Sequence, residues 1–194
     1  TNKNVTVSGD GFAKGEGAAY DVTGSQKEVG NSKNTFTYTL NEGTKAGNYT
    51  ITVVPGTLTV KPLTDKVTVT ITENSGSAKY DGTEKTVTGY KVTSISNPLY
   101  KEADFEFKGD ATVKGTDAGT YNMELKPADF TNKNANFKNV EFVIVDGTLK
   151  IAKRTVTLTS ADAEKVYDGA ALTNKNVTVS GDGFAKGEGA TYDV

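Results

Sequence analysis

A near-identical internal repeat constrains this chain more than any other feature of its sequence. Residues 1–22 and 173–194 differ only in Ala19, which is replaced by Thr191 in the second segment. The two segments begin 172 positions apart, so the chain covers one period and the first 22 residues of the next. Self-similarity at a fixed period indicates a tandem array, in which each unit packs mainly against its neighbours. We therefore expect a parent protein that carries several copies.

A weaker repeat divides each period into two modules, A and B. Three landmarks occur twice in the same order: a Tyr-Asp-Gly triplet, an Ala-Gly-x-Tyr segment and a Gly-Thr-Leu segment. They are Tyr80-Asp81-Gly82 and Tyr167-Asp168-Gly169, Asp117-Ala118-Gly119-Thr120-Tyr121 and Lys45-Ala46-Gly47-Asn48-Tyr49, and Gly147-Thr148-Leu149 and Gly56-Thr57-Leu58. Once the period is applied, the triplets recur every 85 or 87 residues.

The landmarks predict three module segments. Residues 1–62 are a module A that lacks its N-terminal strands, and residues 63–154 are a complete module B. Residues 155–194 are the start of the next module A and are also incomplete. The short linkers between them end at Leu63 and Arg154.

Strand signals dominate both modules and predict an all-β fold. Segments such as Lys66–Thr72 and Thr155–Thr159 alternate polar and apolar residues, which is typical of half-buried strands. Val140–Val145 and Thr148–Ile151 flank an Asp-Gly pair and predict a tight hairpin. About seven short strands per module favour small antiparallel β-sandwiches, immunoglobulin-like in plan, arranged as an elongated rod. The alternative, a β-grasp module, requires a helix that the sequence does not show.

The Ala-Gly-x-Tyr segments predict a tyrosine corner in each module. In immunoglobulin-like domains a tyrosine hydroxyl at the start of a strand bonds back to the backbone a few residues upstream. Tyr121 follows Asp117 and Gly119 in this pattern. Tyr49 follows Gly47, and we expect the same role, although Lys45 replaces the aspartate.

The composition excludes several function classes. The chain has no cysteine, histidine or tryptophan, which excludes disulfides, thiolate metal sites and the usual general base. A formal charge of −2 gives no electrostatic reason to expect nucleic acid. The apolar runs are far too short to span a bilayer, so we expect no membrane insertion in this segment.

The ordered landmarks resemble the YDG and MBG repeats of bacterial cell-surface adhesins. The resemblance rests on Tyr80-Asp81-Gly82, Tyr167-Asp168-Gly169 and the later Ala-Gly-x-Tyr and Gly-Thr-Leu segments, and it covers essentially the whole chain. It implies an extracellular protein attached to the bacterial cell surface or cell wall and built from many copies. It brings no catalytic residues to this chain.

The Tyr-Asp-Gly triplets are best interpreted as fold motifs. The aspartate is expected to cap a turn, the glycine to adopt positive φ and the tyrosine to pack at the end of a sheet. A ligand-facing loop is the alternative interpretation.

Two kinds of added stabilisation stay open. Calcium could bind acidic turns such as Asp10-Gly11, or a module junction near Asp65, although the EF-hand spacing is absent. A lysine–asparagine isopeptide bond could join Lys66 to Asn139 beside the carboxylate of Glu106.

Aromatic residues concentrate in module B, where we expect most of them to form the core. An exposed subset could instead stack on sugars. The candidates are Tyr90, Tyr100, Phe105, Phe107, Phe130, Phe137 and Phe142.

Taken together, these patterns predict a structural repeat in the stalk or fibre of an extracellular adhesin, with no catalysis and no cofactor. Further copies of the same repeat are the expected partners. Two alternatives stay open: the repeats themselves bind host glycans or mucin, or incomplete modules self-associate by strand exchange.

Overall fold

The regular secondary structure of the protein consists almost entirely of short β-strands. The computed structural model describes residues 2–193, which form sixteen strands and three one-turn 3-10 helices but no α-helix. The all-β class is therefore confirmed, and most of the strand pairs are antiparallel. The β-grasp alternative requires a helix, and the described residues form none longer than one turn. No helix in this part of the chain is long and apolar enough to cross a membrane.

The strands are three to seven residues long. They are β1 (Ala18–Val22), β2 (Gly30–Asn34), β3 (Phe36–Leu40), β4 (Gly56–Val60), β5 (Val67–Glu73), β6 (Gly76–Lys79), β7 (Lys85–Thr88), β8 (Tyr90–Ile95), β9 (Phe105–Phe107), β10 (Thr112–Gly115), β11 (Gly119–Asn122), β12 (Phe130–Asn132), β13 (Val140–Val145), β14 (Thr148–Ala152), β15 (Val156–Ser160) and β16 (Val177–Gly181). The 3-10 helices are Ala46–Asn48, Glu102–Asp104 and Pro127–Asp129.

The chain divides into two compact units. Unit 1 comprises the residues up to Lys66 together with the loop Asn134–Asn139. Unit 2 comprises Val67–Lys133 and the residues from Val140 onward. The predicted modules 1–62, 63–154 and 155–194 are defined by the sequence repeat, whereas the two units are defined by contacts. The limits of the modules therefore stay a prediction.

Unit 1 contains two antiparallel strand pairs and the loop Asn134–Asn139, which hydrogen bonds attach to the rest of the unit. β1 pairs with β3, and β2 pairs with β4. The Asn136 side chain accepts a hydrogen bond from the Val29 amide at 2.7 Å. The backbone carbonyl of Asn136 accepts another from the Leu63 amide at 2.8 Å. These bonds fix the loop Asn134–Asn139 within the unit.

Strand β5 is the centre of unit 2. It pairs in parallel with β13 and antiparallel with β8. Its residues alternate between buried and half-buried, and Val67, Val69 and Ile71 are fully inaccessible to solvent. Strand β14 repeats the arrangement, because it pairs in parallel with β6 and antiparallel with β11. The first strands of module B thus lie directly beside its last ones.

The predicted hairpin at Asp146-Gly147 is wrong. β13 and β14 do not pair with each other; each continues alongside a strand from the start of the module. A side chain at Gly147 would overlap the carbonyl oxygen of Asn74. The glycine is needed for this close approach between neighbouring strands rather than for a two-residue turn.

A buried carboxylate holds the two irregular segments beside β5. Glu73 is only 3% exposed. Its carboxylate accepts hydrogen bonds from the backbone amides of Leu125 and Gly147, each at 2.6 Å. Glu124, next to Leu125, has a φ of 65°, which is unfavourable for a residue with a side chain. The carboxylate therefore satisfies two buried donors and stabilises an unfavourable backbone turn.

The aromatic residues of module B form its core, as expected. Phe130 contacts Tyr90, Phe105, Phe107 and Phe142, with ring centroids 4.9–5.9 Å apart. All seven candidates for sugar stacking, Tyr90, Tyr100, Phe105, Phe107, Phe130, Phe137 and Phe142, are buried or half-buried. They therefore offer no exposed stacking platform.

The residues considered for an isopeptide bond do not meet its requirements. Such a bond needs a buried lysine and asparagine, whereas Lys66 and Asn139 are exposed. Glu106 pairs instead with Lys133 at 3.0 Å and with Lys108 at 3.4 Å.

Two segments with the same sequence adopt different structures. Val177–Gly181 forms β16 and pairs with β15. Val5–Gly9 has the same sequence but is not a strand, and neither is Tyr49–Val53, although it also alternates polar and apolar residues. Both segments lie in unit 1, where no described strand pairs with them.

Removing the carboxylate of Glu73 should destabilise unit 2. In Glu73→Ala the amides of Leu125 and Gly147 lose their acceptor, so we expect the free energy of unfolding to fall by about 2–4 kcal/mol. Urea unfolding followed by far-ultraviolet circular dichroism measures this loss. Glu84→Ala removes an exposed ion pair with Lys114 and should cost less than about 1 kcal/mol. Equal losses in the two variants would contradict the role given to Glu73.

Candidate functional site

The first Tyr-Asp-Gly triplet forms the turn that the sequence predicts. The Asp81 carboxylate accepts hydrogen bonds from the amide of Thr83 at 2.9 Å and from its hydroxyl at 2.6 Å. The Lys85 ammonium lies 2.6 Å from the other carboxylate oxygen. Lys85 and then Thr83 hold the pKa of Asp81 far below its ordinary value. Gly82 has a φ of 78°, which favours glycine.

Tyr80 joins this turn to the segment that follows module B. Its amide donates to the carbonyl of Ala152 at 2.9 Å. Its hydroxyl donates to the carboxylate of Glu188, beyond β16. That hydrogen bond is the main reason why the pKa of Tyr80 is raised. The tyrosine therefore packs at the end of a sheet, as predicted, and also binds the next module segment.

Arg154 makes the most extensive contact at the same place. Its guanidinium donates to three backbone carbonyls: Gly183 at 2.8 Å, Tyr80 at 3.3 Å and Asp182. A planar guanidinium carries five donors in a fixed geometry, which suits it to bridging several acceptors. It is the only arginine in the chain.

Asp182 completes the arrangement with a carboxylate. It accepts a hydrogen bond from the Thr155 amide at 2.9 Å and from the Lys79 ammonium at 2.6 Å. The pKa of Asp182 is lower than its ordinary value, mainly because the Lys79 ammonium donates a hydrogen bond to the carboxylate. The Asp182 amide in turn donates to the carbonyl of Thr155 at 2.7 Å.

We call this set of contacts the joint. It consists of Lys79, Tyr80, Arg154, Thr155, Asp182 and Glu188. Beside these polar contacts, the small side chain of Ala185 is 4% exposed and lines a recess of about 310 Å³ with Ala118 and Phe184. The joint thus combines one ion pair, several backbone hydrogen bonds and a small apolar contact, which suits a fixed connection between consecutive modules.

The second triplet forms the same turn without packing its tyrosine. Asp168 accepts from the amide of Ala170 at 3.0 Å and pairs with Lys165 at 2.7 Å, and Gly169 has a φ of 78°. The Tyr167 side chain is 93% exposed. The turn is therefore a local property of the sequence, whereas the position of the tyrosine depends on what lies next to it.

The tyrosine corner forms in module B. The Tyr121 hydroxyl donates to the carbonyl of Asp117 at 3.0 Å. A Cβ atom at position 115 would overlap the Tyr121 ring, and one at position 119 would lie 3.7 Å from the ring. Glycine at Gly115 therefore lets the ring lie flat against the backbone.

The same corner was predicted at Tyr49, and this prediction is wrong. The Tyr49 hydroxyl donates to the carboxylate of Glu16 and accepts from the amide of Ala13 at 3.0 Å. It does not bond back to the backbone at Lys45. Gly47 lies in a 3-10 turn with open space around it, so the local geometry differs from that around Gly119.

Sequence reasoning missed the residues that bind the first triplet. Arg154 ends a predicted linker, and nothing in the sequence identifies Asp182 or Glu188 as residues that contact the segment around Tyr80. The occurrence of one arginine among many lysines was a usable signal, because arginine is favoured where several acceptors are bridged. Among the described residues 2–193, no group of three or more carboxylates is placed to hold a metal ion.

The comparisons with known proteins concern module B. Residues 67–153 match the family model of the MBG domain. No curated protein and no solved structure matches the chain significantly. The matched segment begins with β5 and ends one residue before Arg154, so the joint lies at its C-terminal boundary.

Removing the guanidinium should loosen the joint. In Arg154→Ala the carbonyls of Tyr80 and Gly183 lose their bridging donor. We expect the amides of Thr155 and Asp182 to exchange with deuterium at least about tenfold faster, which corresponds to about 1.4 kcal/mol. Lys150→Ala, which shortens an exposed side chain of β14, serves as the control and should leave these rates unchanged. Unchanged rates in Arg154→Ala would contradict a structural role for the arginine.

Acid should weaken the joint through Asp182. A carboxyl whose pKa is lowered by folding stabilises the folded state above its unfolded pKa, and loses this effect as pH falls through the lowered value. At pH 7, Asp182→Asn should therefore be less stable than the wild type. The difference should shrink as pH falls below 3.8, the ordinary pKa of the residue. Urea unfolding of both proteins across this pH range measures the difference. A difference that does not depend on pH would argue against a stabilising role for the charge of Asp182. Asp110→Asn, at an exposed aspartate, is the control.

Proposed function

We propose that the chain is a load-bearing structural repeat of a bacterial extracellular surface protein, on the premise that residues 67–153 match the MBG domain model. Its role is to extend and connect, without catalysis and without a cofactor. The bacterial surface location follows from the resemblance of the landmarks to YDG and MBG repeats. The near-identical segments 1–22 and 173–194 suit a protein lengthened by duplication of whole periods.

The parallel pairing of the first and last strands of module B carries this proposal. β5 pairs with β13 in six register positions, and β6 continues alongside β14 in four more. Because the strands are parallel, a pull on the start of β5 and the end of β14 acts along the strands in opposite directions. The hydrogen bonds between the strands then share the load together instead of opening one after another. This is the arrangement that a repeat under tension requires.

The joint supports the same function. A stalk transmits length and force only if consecutive modules keep a fixed connection. Arg154 lies between the end of β14 and the start of β15, so tension along the chain passes through the residue that bridges both segments. Exposed threonines on the strands, such as Thr157 and Thr159, keep the surface polar without a large net charge.

A pulling experiment with two attachment geometries tests the proposal. The chain contains no cysteine, so a pair of introduced cysteines defines where force is applied. Lys66→Cys with Lys153→Cys pulls at the start of β5 and just after the end of β14, along the parallel strands. Lys66→Cys with Lys138→Cys pulls at the starts of β5 and β13, which lie side by side, and peels them apart.

We expect the first pair to require an unfolding force several times higher than the second, measured by single-molecule force spectroscopy. Both variants contain the same module and two surface lysine replacements, so they control for each other. Equal or reversed forces would contradict a load-bearing role. Equilibrium urea unfolding of both variants should give the same stability, which separates mechanical resistance from thermodynamic stability.

A further inference from the structure

Module B is longer than module A between two of the landmarks that they share. The tyrosine of the Ala-Gly-x-Tyr segment and the glycine of the Gly-Thr-Leu segment are 26 positions apart in module B, from Tyr121 to Gly147. In module A the same two landmarks, Tyr49 and Gly56, are 7 positions apart. The difference between 26 and 7 gives module B 19 residues in this interval that module A lacks.

The linker that leads into module B is also longer than the linker that leads out of it. Thr68 and Thr155 are equivalent, because each precedes the tyrosine of its Tyr-Asp-Gly triplet by 12 positions. The linker into module B runs over 10 positions, from Leu58 to Thr68, and the linker out of it over 6, from Leu149 to Thr155. The first linker therefore has 4 more residues than the second, the difference between 10 and 6.

Side chains at equivalent places differ between the two connections. The Thr68 amide donates to the Ser96 hydroxyl at 2.8 Å, and the Ser96 amide donates to the Thr68 carbonyl at 2.9 Å. In the joint, Asp182 makes the same two bonds with the equivalent threonine. A hydroxyl thus replaces the carboxylate, and Val67, which is fully buried, replaces Arg154. The connection into module B therefore lacks the charged groups that hold the connection out of it.

The two longer segments are bonded to each other instead. The longer interval of module B contains the loop Asn134–Asn139, and the longer linker contains Leu63. The Leu63 amide donates to the carbonyl of Asn136 at 2.8 Å, and the Leu63 carbonyl accepts from the amide of Lys138 at 2.9 Å. Leu63 and Phe137 form a parallel β-bridge, and the Phe137 side chain is buried. Two length differences that are far apart in the sequence thus form one contact.

Asn136 extends this contact from the linker to module A itself. Its side-chain oxygen accepts from the Val29 amide at 2.7 Å, and its side-chain nitrogen donates to the carboxylate of Glu28. The Asn136 amide donates to the Asn134 side chain at 2.9 Å, which fixes the shape of the loop. An asparagine amide has one acceptor and two donors, so a backbone amide beside a carboxylate matches it. All of these residues belong to unit 1.

The segment that precedes the loop is also held by hydrogen bonds. Lys126–Phe130 repeats the pattern Lys-x-Ala-Asp-Phe of Lys101–Phe105, and in each copy the lysine amide donates to the aspartate carboxylate at 2.7 Å. The strands that end these two copies, β12 and β9, pair with each other. The amide of Lys133, the residue before the loop, donates to the carbonyl of Asp104 at 2.7 Å. A loop that starts from a fixed residue loses less conformational entropy when it binds.

We propose that the loop Asn134–Asn139 is a recognition surface by which module B binds the module A that precedes it. Its ligand is the backbone amide of Val29 beside the carboxylate of Glu28, together with the longer linker at Leu63. Module A has no counterpart of the loop and does not bind a preceding module in this way. Each kind of module selects its predecessor by different chemistry: module B through an amide side chain, and module A through the joint around Arg154. This inference concerns recognition between modules and does not depend on the load-bearing function.

Hydrogen exchange in the full chain tests the proposal at single residues. In Asn136→Ala the Val29 amide loses its acceptor and Glu28 loses its donor. We expect the amides of Val29 and Leu63 to exchange with deuterium at least about tenfold faster than in the wild type. Asn139→Ala, at an exposed asparagine of the same loop, is the matched control and should leave both rates unchanged. Equal rates in the two variants would overturn the proposal.

A charge-swapped pair separates recognition from a general loss of folding. Asn136→Asp keeps an acceptor for the Val29 amide but places a second carboxylate against Glu28, so exchange of the Val29 amide should be faster. Adding Glu28→Lys gives the new carboxylate an ammonium partner and should return the rate to within about threefold of the wild type. A double variant that exchanges no more slowly than Asn136→Asp would show that the two side chains do not recognise each other, and the proposal would fail.

The two connections should also be separable. Arg154→Ala should speed exchange of the Thr155 amide and leave that of Val29 unchanged, and Asn136→Ala should do the reverse. Faster exchange at both places in either variant would contradict two separate recognition surfaces. None of these results alters the order of unfolding forces expected in the two pulling geometries, so this proposal and the load-bearing function fail independently.

Discussion

Lateral hydrogen bonding to a neighbouring strand decides which segments of this chain become strands. The clearest evidence is a pair of identical sequences: Val177–Gly181 is a strand beside β15, whereas Val5–Gly9, with no neighbour, is not. The reverse holds further along the repeat, where Ala18–Val22 pairs with β3 but Ala190–Asp193 is not a strand. The first two segments are identical, and in the second pair the copy with the better strand former, Thr191 in place of Ala19, is the one that is not a strand. Intrinsic β-propensity therefore does not explain the difference, and pairing does. This dependence organises both the complete module and the incomplete ones.

In module B the same dependence on pairing brings the two ends of the module together, because its first strands pair with its last ones. Strand β5 pairs with β13, which follows it by about seventy residues. Pairing between segments so distant in sequence carries a high cost in chain entropy. Glu73 offsets part of this cost. Its carboxylate lies at the end of β5 and binds amides from the two segments that must reach it, Leu125 and Gly147. The parallel pairing of distant strands and the buried carboxylate are therefore parts of one arrangement.

Local features were predictable from the sequence, and long-range partners were not. The turn at Asp81-Gly82 and the tyrosine corner of Tyr121 depend on residues within a few positions of one another, and the structure contains them. The Asp-Gly pair at Gly147 resembles a hairpin locally, but Asn74 and Glu73 lie close enough to impose a different path. Tyr49 and Arg154 likewise depend on partners more than 25 residues away.

One glutamate of the repeat occurs in two surroundings. As Glu16 it binds the hydroxyl of Tyr49 inside its own module, and as Glu188 it binds Tyr80 of the module before it. A carboxylate has two oxygens and accepts both hydrogen bonds at once. In a module that has both a predecessor and its own tyrosine, this single side chain connects the interior to the joint. Modules connected in this way would unfold with mutual dependence.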